Sequence, residues 1–325
     1  MNTTLTRRRC IAALLATCAV AGASAQPAWP TKPVRIIVPS SPGGGTDVFG
    51  RIIAQALTEQ LKQTFVVENK PGASGNIGAD AAAKAEPDGY TFLIASNSSL
   101  GINPGLYKTL PYDPDRDLAP VTRGVMAPMV IVANPRAGMK TLADLIAFGK
   151  SQPGKAFYGS AGVGSPPYMG VRMLEEASGA KFTHVPYKGV APAYQDLLAG
   201  QLQFMLTDLA TVLPHIRSGA VVPLAVNQKT KLLPNTPSVA EAGYPKVEAW
   251  TSFSVMAPAK VPPAIVHKLS GEINRAMKTP AVAQRLEQQA LEPVFDTPET
   301  FGPALTKERA HWAAFIKRNG ITPEE

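Results

Sequence analysis

The sequence predicts an α/β chain of two parallel-type sheets, helices on both faces of each, with a cleft between them. Three observations predict it. Short apolar runs recur, each followed by a small polar or Gly-rich loop and then by an amphipathic stretch. The loops that end these runs fall into two groups, 40–47 with 96–99 and 160–165 with 207–208, as two facing sheets would have them. The chain has 325 residues, 45% of them hydrophobic and 17% charged, enough for two domains with cores of their own.

The first 25 residues stand apart. Arg7, Arg8 and Arg9 precede an apolar run over 11–21, and Ala23-Ser24-Ala25 follows. A basic start, a short apolar stretch and an A-x-A site predict a signal peptide cleaved after Ala25. The run is too short for a permanent span. Leu15-Ala16-Thr17-Cys18 leaves a lipid-anchored alternative open, and the arginine run a twin-arginine route. Both cysteines, Cys10 and Cys18, lie in this segment. The expected mature chain therefore has no disulfide, thiolate nucleophile or Cys-ligated metal, and its expected place is the periplasm.

After this leader the elements follow in order. Residues 34–38 form a strand running into the Gly-rich loop 39–45, and Thr46 or Asp47 is placed to cap the next helix. That helix has Val48, Phe49, Ile52, Ile53, Ala56 and Leu57 on one face. Residues 65–67 and 91–95 are strands, the latter ending in a polar loop, 96–99. Residues 129–133 are a strand, followed by a helix near 141–150. Residues 156–158 lead through the loop 159–165 into a helix with Met169, Met173 and Leu174 inward. Strands at 182–186, 203–206, 221–226 and 253–256 alternate with a helix over 191–198 and two late helices. One of these carries Ile265, Val266, Leu269, Ile273 and Met277 on one face; the other lies near 304–317.

Charge and motifs exclude more than they assign. The formal net charge is +8. Setting aside Arg7–Arg9 leaves 29 of the 32 basic residues against 24 acidic ones, scattered without a dense run. Nucleic acid has no footprint there. No P-loop, no G-x-G-x-x-G, no G-x-S-x-G elbow and no H-E-x-x-H occurs. The four histidines, 184, 215, 267 and 311, lie far apart, so no catalytic residue, metal site or cofactor is expected. Asp113, Asp115 and Asp117 lack the glycine and final glutamate of a calcium loop and read as turn formers. The Gly-rich loops suit an anion instead. Glycine admits a close backbone approach, and a helix start offers free N–H groups and the positive dipole end. The loops 42–46 and 160–165 are the two candidates for such a grip.

On these residues the chain resembles the receptor family of the tripartite tricarboxylate transporters, the Bug or TctC family of extracytoplasmic solute receptors. The resemblance rests on motifs spread over nearly all of the mature chain. These are residues 29–38, Pro42-Gly43-Gly44 with Asp47 and Arg51, residues 68–78, Pro87-Asp88-Gly89-Tyr90-Thr91, Asn103-Pro104, Leu106-Tyr107 and Tyr112-Asp113-Pro114. Downstream they are Val185-Pro186-Tyr187-Lys188-Gly189, Pro192-Ala193, Asp196-Leu197, Leu224-Ala225-Val226 and residues 237–245. The resemblance implies a type II periplasmic-binding-protein fold with two crossover strands. Its cleft would close on a small carboxylate and deliver it to the membrane subunits of the transporter. It implies a monomer without catalysis, cofactor or metal.

Carried over by motif, ligand contacts would come from Ser41, Gly43, Gly44, Thr46, Asp47 and Asn97 on one side of the cleft. On the other side they would come from Ser160, Gly162, Gly164, Ser165, Tyr168, Tyr187, Lys188, Gly189, Thr207 and Asp208. Asp208 suits a ligand amine or hydroxyl, or a helix cap; Lys188 suits a carboxylate, or solvent. The family often has an aromatic residue where Ser40 stands, and His-Leu where Tyr168-Met169 stands. The expected domains are 26–124 with 248–325, and 125–247. A receptor feeding a membrane signalling kinase is the alternative, and an exported enzyme a lesser one.

Overall fold

The computed structural model describes residues 29–187 and 189–323. The expected leader, with Cys10 and Cys18, and Lys188 lie outside the described residues. Lys32–Glu325 make one unit containing two sheets.

The first sheet begins with β1 (Val34–Val38), α1 (Gly45–Leu61), β2 (Phe65–Asn69), α2 (Asn76–Ala83) and β3 (Thr91–Ser96). The apolar run of β1 pairs in parallel with both β2 and β3. The chain turns at Ser98–Ile102 into α3 (Asn103–Leu106), so the expected polar loop at 96–99 is largely helical. It then enters β4 (Leu118–Ala127) and crosses at Pro128 into the second sheet.

There β5 (Met129–Ala133) is followed by α4 (Leu142–Ser151), β6 (Phe157–Ser160), α5 (Pro166–Ser178), β7 (Thr183–Pro186), α6 (Val190–Ala199), β8 (Phe204–Asp208), α7 (Leu209–Arg217) and β9 (Val222–Val226). A long return brings the chain back as β10 (Thr251–Pro258). It ends with α8 (Pro263–Met277), α9 (Pro280–Gln288), β11 (Glu292–Pro293) and α10 (Pro298–Arg318). The sheet orders are β11-β4-β10-β3-β1-β2 and β7-β6-β8-β5-β9.

Both sheets are mixed rather than wholly parallel. β10 runs antiparallel to β3 and β4, and β5 antiparallel to β8 and β9. The crossings require it. A strand arriving from the other sheet enters where the resident strands finish, so it must run against them. The strand that leaves, β4 or β9, departs from that same edge. β4 and β10 pair from Ala127↔Thr251 to Leu118↔Pro258, so the two connections between the sheets rise side by side from one ladder.

Alternation along the strands supplies the cores. On β5, Met129, Ile131 and Ala133 pack with Phe204, Leu206, Met169 and Leu174, while Val130 and Val132 pack with Met205, Leu197, Val212 and Leu213 on the other face. Every residue of β5 is buried, as a strand covered by helices on both faces should be. In the first sheet Ile37, Leu93, Ala95 and Met256 pack under Ala79, Ala82, Phe301 and Leu305. On its opposite face Ile36, Phe92, Ile94 and Val255 meet Ile53, Leu57, Leu269 and Ile273. Asp113 and Asp117 accept N–H bonds from residues 115, 116 and 113, the turn that the sequence suggested.

Candidate functional site

On the first-sheet side the loop after β1 is held open by Asp47. This carboxylate, 2% exposed, accepts the Gly43 N–H (2.9 Å) and Arg51 Nε (2.9 Å) on one oxygen, and Asn69 Nδ2 (2.9 Å) on the other. Burial opposes its ionisation, but Arg51, the Gly43 N–H and Asn69 outweigh it and hold the carboxyl below its usual range. Gly43 takes the left-handed φ of +83° that the turn needs, and the Gly44 N–H donates to Ser41 O (3.3 Å). Helix α1 then starts at Gly45 with Gly44 as its N-cap and no side-chain cap. The cap expected from Thr46 or Asp47 is not made. Both lie inside the first turn, where Asp47 reaches back to the loop and Thr46 is buried. At the end of β3, Asn97 donates to Trp250 O (3.1 Å) and accepts the Ser252 N–H (3.4 Å), tying β3 to the returning crossover.

On the second-sheet side the loop 160–165 is bonded within itself. Ser160, 1% exposed, accepts the Gly162 N–H (3.2 Å) and shares a 2.7 Å hydrogen bond with His184 Nε2. Ser165 donates to Gly162 O (2.6 Å) and caps α5 by accepting the Tyr168 N–H (3.5 Å). Burial pushes the His184 imidazole down to about 4, which keeps it neutral, and the Tyr168 ring meets it edge-on at 4.8 Å. Tyr187 donates its hydroxyl to Asp196 (2.6 Å); burial, and then Asp196, push that hydroxyl up to about 12.

The next two helices are different. α6 starts after Gly189 (φ +127°) with no side-chain cap. α7 starts after Asp208, whose carboxyl occupies the N-cap position and caps nothing.

Glycine geometry shows where the two sides meet. A Cβ at Gly45 would lie 3.3 Å from Asp208 Oδ2 and 2.7 Å from Phe253 Cζ. One at Gly189 would lie 3.8 Å from Ser41 Oγ, and one at Gly164 only 2.0 Å from Asn103 Oδ1. Ser74 Oγ donates to Ala161 O at 3.4 Å. The uncapped starts of α1, α6 and α7 thus gather at one place. Around it lie buried polar atoms without a geometric hydrogen-bond partner: Ser40 Oγ, Asp208 Oδ1 and Thr251 Oγ1. Burial pushes the Asp208 carboxyl up to about 6, with the Thr251 hydroxyl beside it pulling the other way. Among the described residues no group of three His, Cys, Asp or Glu side chains could hold a metal ion.

The structure therefore brings Ser41, Gly44, Gly189 and Asp208 together, and sets Asp47, Asn97, Ser160, Ser165 and Tyr187 to bracing the loops around them. The second anion grip, expected at the start of α5, is occupied by its own Ser165; the uncapped starts belong to α6 and α7. Sequence reasoning missed Thr251 and Phe253, which reach Asp208 and Gly45 from the returning crossover. Their only signal was the apolar run beginning at Phe253, which read as plain strand.

The receptor model of the tripartite tricarboxylate transporter family matches residues 49–321. The protein BugT of Bordetella pertussis is 36% identical over 313 residues, covering 95% of this chain and 96% of BugT. A solved R. palustris protein with adipate superposes with a TM-score of 0.87 at 33% identity, covering 91% of this chain and all of that one. MatC from Rhodopseudomonas palustris, with bound malate, gives 0.82 at 28% identity, covering 89% of this chain and all of MatC. Two mixed sheets flanked by helices, joined by paired crossovers and meeting at polar loops, are the type II periplasmic-binding-protein fold, and the chain belongs to the tripartite tricarboxylate transporter receptor family.

Proposed function

We propose that this chain is an exported receptor that captures a small carboxylate between its two sheets and presents it to the membrane subunits of a tripartite tricarboxylate-type transporter. The observation that carries the reading is the convergence of three uncapped helix starts, at Gly44, Gly189 and Asp208, on a place ringed by unpartnered hydroxyls. Free N–H groups at helix starts favour an anion without needing an arginine. The adipate and malate held by two relatives support a carboxylate as that anion.

The lobes are 26–124 with 248–325, and 125–247, and they close on the ligand by bending at the two crossovers. The contacts are Ser41, the first turn of α1 at 44–46, Gly189, Thr207, Asp208 and Thr251. The leader is removed after Ala25, the mature receptor acts as a monomer in the periplasm, and it releases its ligand chemically unchanged. Among the described residues no helix is long and apolar enough to cross a membrane.

Native mass spectrometry of the exported protein tests this directly. It should give a monomer beginning at Gln26 and carrying, or accepting, one small acid. A thermal-shift panel of mono-, di- and tricarboxylates and amino acids on the stripped protein should show stabilisation by acids. Stabilisation only by neutral or cationic compounds, or conversion of an acid on incubation, would overturn the reading.

A further inference from the structure

We propose that Asp208 is the proton-carrying specificity residue of the cleft: it meets the bound acid as a neutral carboxyl and donates a hydrogen bond to a ligand carboxylate oxygen, so that capture takes up one proton. This rests on the carboxylate reading above.

The position of the side chain argues first. An aspartate at an N-cap ordinarily accepts an N–H from the first turn of its own helix, and that bond stabilises by about 1 kcal/mol. Asp208 forgoes it. Its carboxyl turns across the cleft toward the start of α1, where Oδ2 lies 3.3 Å from the place a methyl on Gly45 would take. Its other oxygen, Oδ1, is buried without a partner. A carboxyl withdrawn from its own helix, with one oxygen unsatisfied at an anion-favouring helix start, is placed to meet a ligand.

The charges around it argue next. α1 offers Asp47 and Arg51, which are engaged with each other and with Asn69. From β10 come Thr251 and Phe253, from β5 the register partner Met129, and from α7 Leu209. None of these four titrates. Lys188, between β7 and α6, lies outside the described residues. Two carboxylates sharing a dry site cannot both stay ionised at low energy, and one proton held between them removes the repulsion and supplies the missing donor. Burial already pushes the Asp208 carboxyl up to about 6, and a ligand carboxylate would push it further. The proton comes from solvent on capture and returns to solvent on release, so no other reactant is needed. An acid would then be held more tightly as the pH falls, while an ammonium compound would find no anionic partner in the cleft.

The test is isothermal titration calorimetry of the mature protein with adipate, malate, citrate and glutamate. It is run at pH 7.5 in phosphate and in Tris, whose ionisation enthalpies differ, and then from pH 6 to 8.5. The acid that binds should take up close to one proton per site, and its Kd should weaken about tenfold per pH unit above 7. D208N should show no proton uptake and a flat pH profile, while Gly271→Ala, on α8 with nothing within 4 Å, keeps both features of the native protein. Binding by the native protein with no proton uptake overturns the inference and leaves the receptor reading standing; this arm needs no variant to fold. Uptake that persists in D208N also overturns it. Glutamate bound more tightly as the pH rises makes Asp208 an anionic partner of the ammonium and overturns it too. Binding of none of the four acids at any pH overturns the carboxylate reading itself.

Discussion

Gly164→Ala separates lobe closure from folding, because the added methyl collides with something only across the cleft. Gly164 does not have a left-handed φ, so alanine suits its backbone. Its Cβ would stand 2.0 Å from Asn103 Oδ1, well over 1 Å inside ordinary contact. Asn103 cannot step aside freely. It is fully buried, and its Nδ2 donates to Asn76 Oδ1 (2.7 Å) and Ser74 O (3.2 Å). Either these buried bonds break or the loops at 103 and 164 move apart. Losing them costs about 1–3 kcal/mol, which converts to about a 5- to 150-fold loss of affinity for the acid found to stabilise the native protein. The ligand-free protein relieves part of the collision by opening, but Leu106 and Val163 share one buried apolar cluster across this contact, so its melting temperature should fall by less than the affinity loss implies. Calorimetric affinity and the ligand-free melt are the two readings to take. Gly271→Ala, at a site on α8 with nothing within 4 Å, is the control: it should add up to about 1 kcal/mol of stability without touching affinity. Native affinity in Gly164→Ala, or a ligand-free melt that falls as far as affinity does, would refute closure through this contact.

Two further expectations concern stability. Arg123 and Glu308, 16% and 4% exposed, form an ion pair at 3.1 Å between β4 and α10. Arg123→Met should lose about 3–5 kcal/mol in urea unfolding at pH 7, because a buried carboxylate is left unpaired. The deficit should shrink at pH 5, since burial already raises the Glu308 carboxyl, and the double variant with Glu308→Leu should be nearly neutral. His184 is a base held down to about 4 in the fold, so the stability it confers is complete above its unfolded value of 6.5 and is lost as pH falls from 6.5 toward 4. Asp208, raised to about 6, changes stability in the opposite sense over the same window. The difference between the native protein and His184→Gln should therefore be followed against pH, and a difference that does not change between pH 6.5 and 4.5 refutes the buried-neutral assignment.

The sheets were legible because strands covered by helices on both faces leave short, continuous apolar runs in the sequence itself. Met129 to Ala133 reads as a strand whatever surrounds it, and so does Val34 to Val38. Strand direction was less legible. The β5 and β10 runs look like any buried strand, and only the path between sheets makes them antiparallel. Caps were ambiguous for a physical reason. Ser165 and Asp208 both stand just before a helix, and both residue types cap well, yet Ser165 bonds to its own helix and Asp208 does not. The bracing of the loop at 160–165 depends on His184, 24 residues away along the chain. The reach of Thr251 and Phe253 depends on a crossover that returns after a whole sheet has been built. Sequence spacing carries neither relation.

The same geometry explains why a receptor of this kind would wait for its ligand. The two sets of loops meet through the long Ser74–Ala161 hydrogen bond at 3.4 Å and the approaches at Gly45, Gly164 and Gly189, beside the apolar cluster that Ile102 and Leu106 share with Val163 and Met169. Against them stand Ser40 Oγ, Asp208 Oδ1 and Thr251 Oγ1, each shut away from water without a partner. A buried polar group left unsatisfied costs about 1–3 kcal/mol, so a cleft closed on nothing is penalised by several kcal/mol, and opening rehydrates those groups. A ligand whose oxygens satisfy them removes the penalty in the closed form alone. That differential contact is the only means by which binding can shift the equilibrium. The unpartnered atoms are therefore the reason the lobes would close around an acid and stay apart without one.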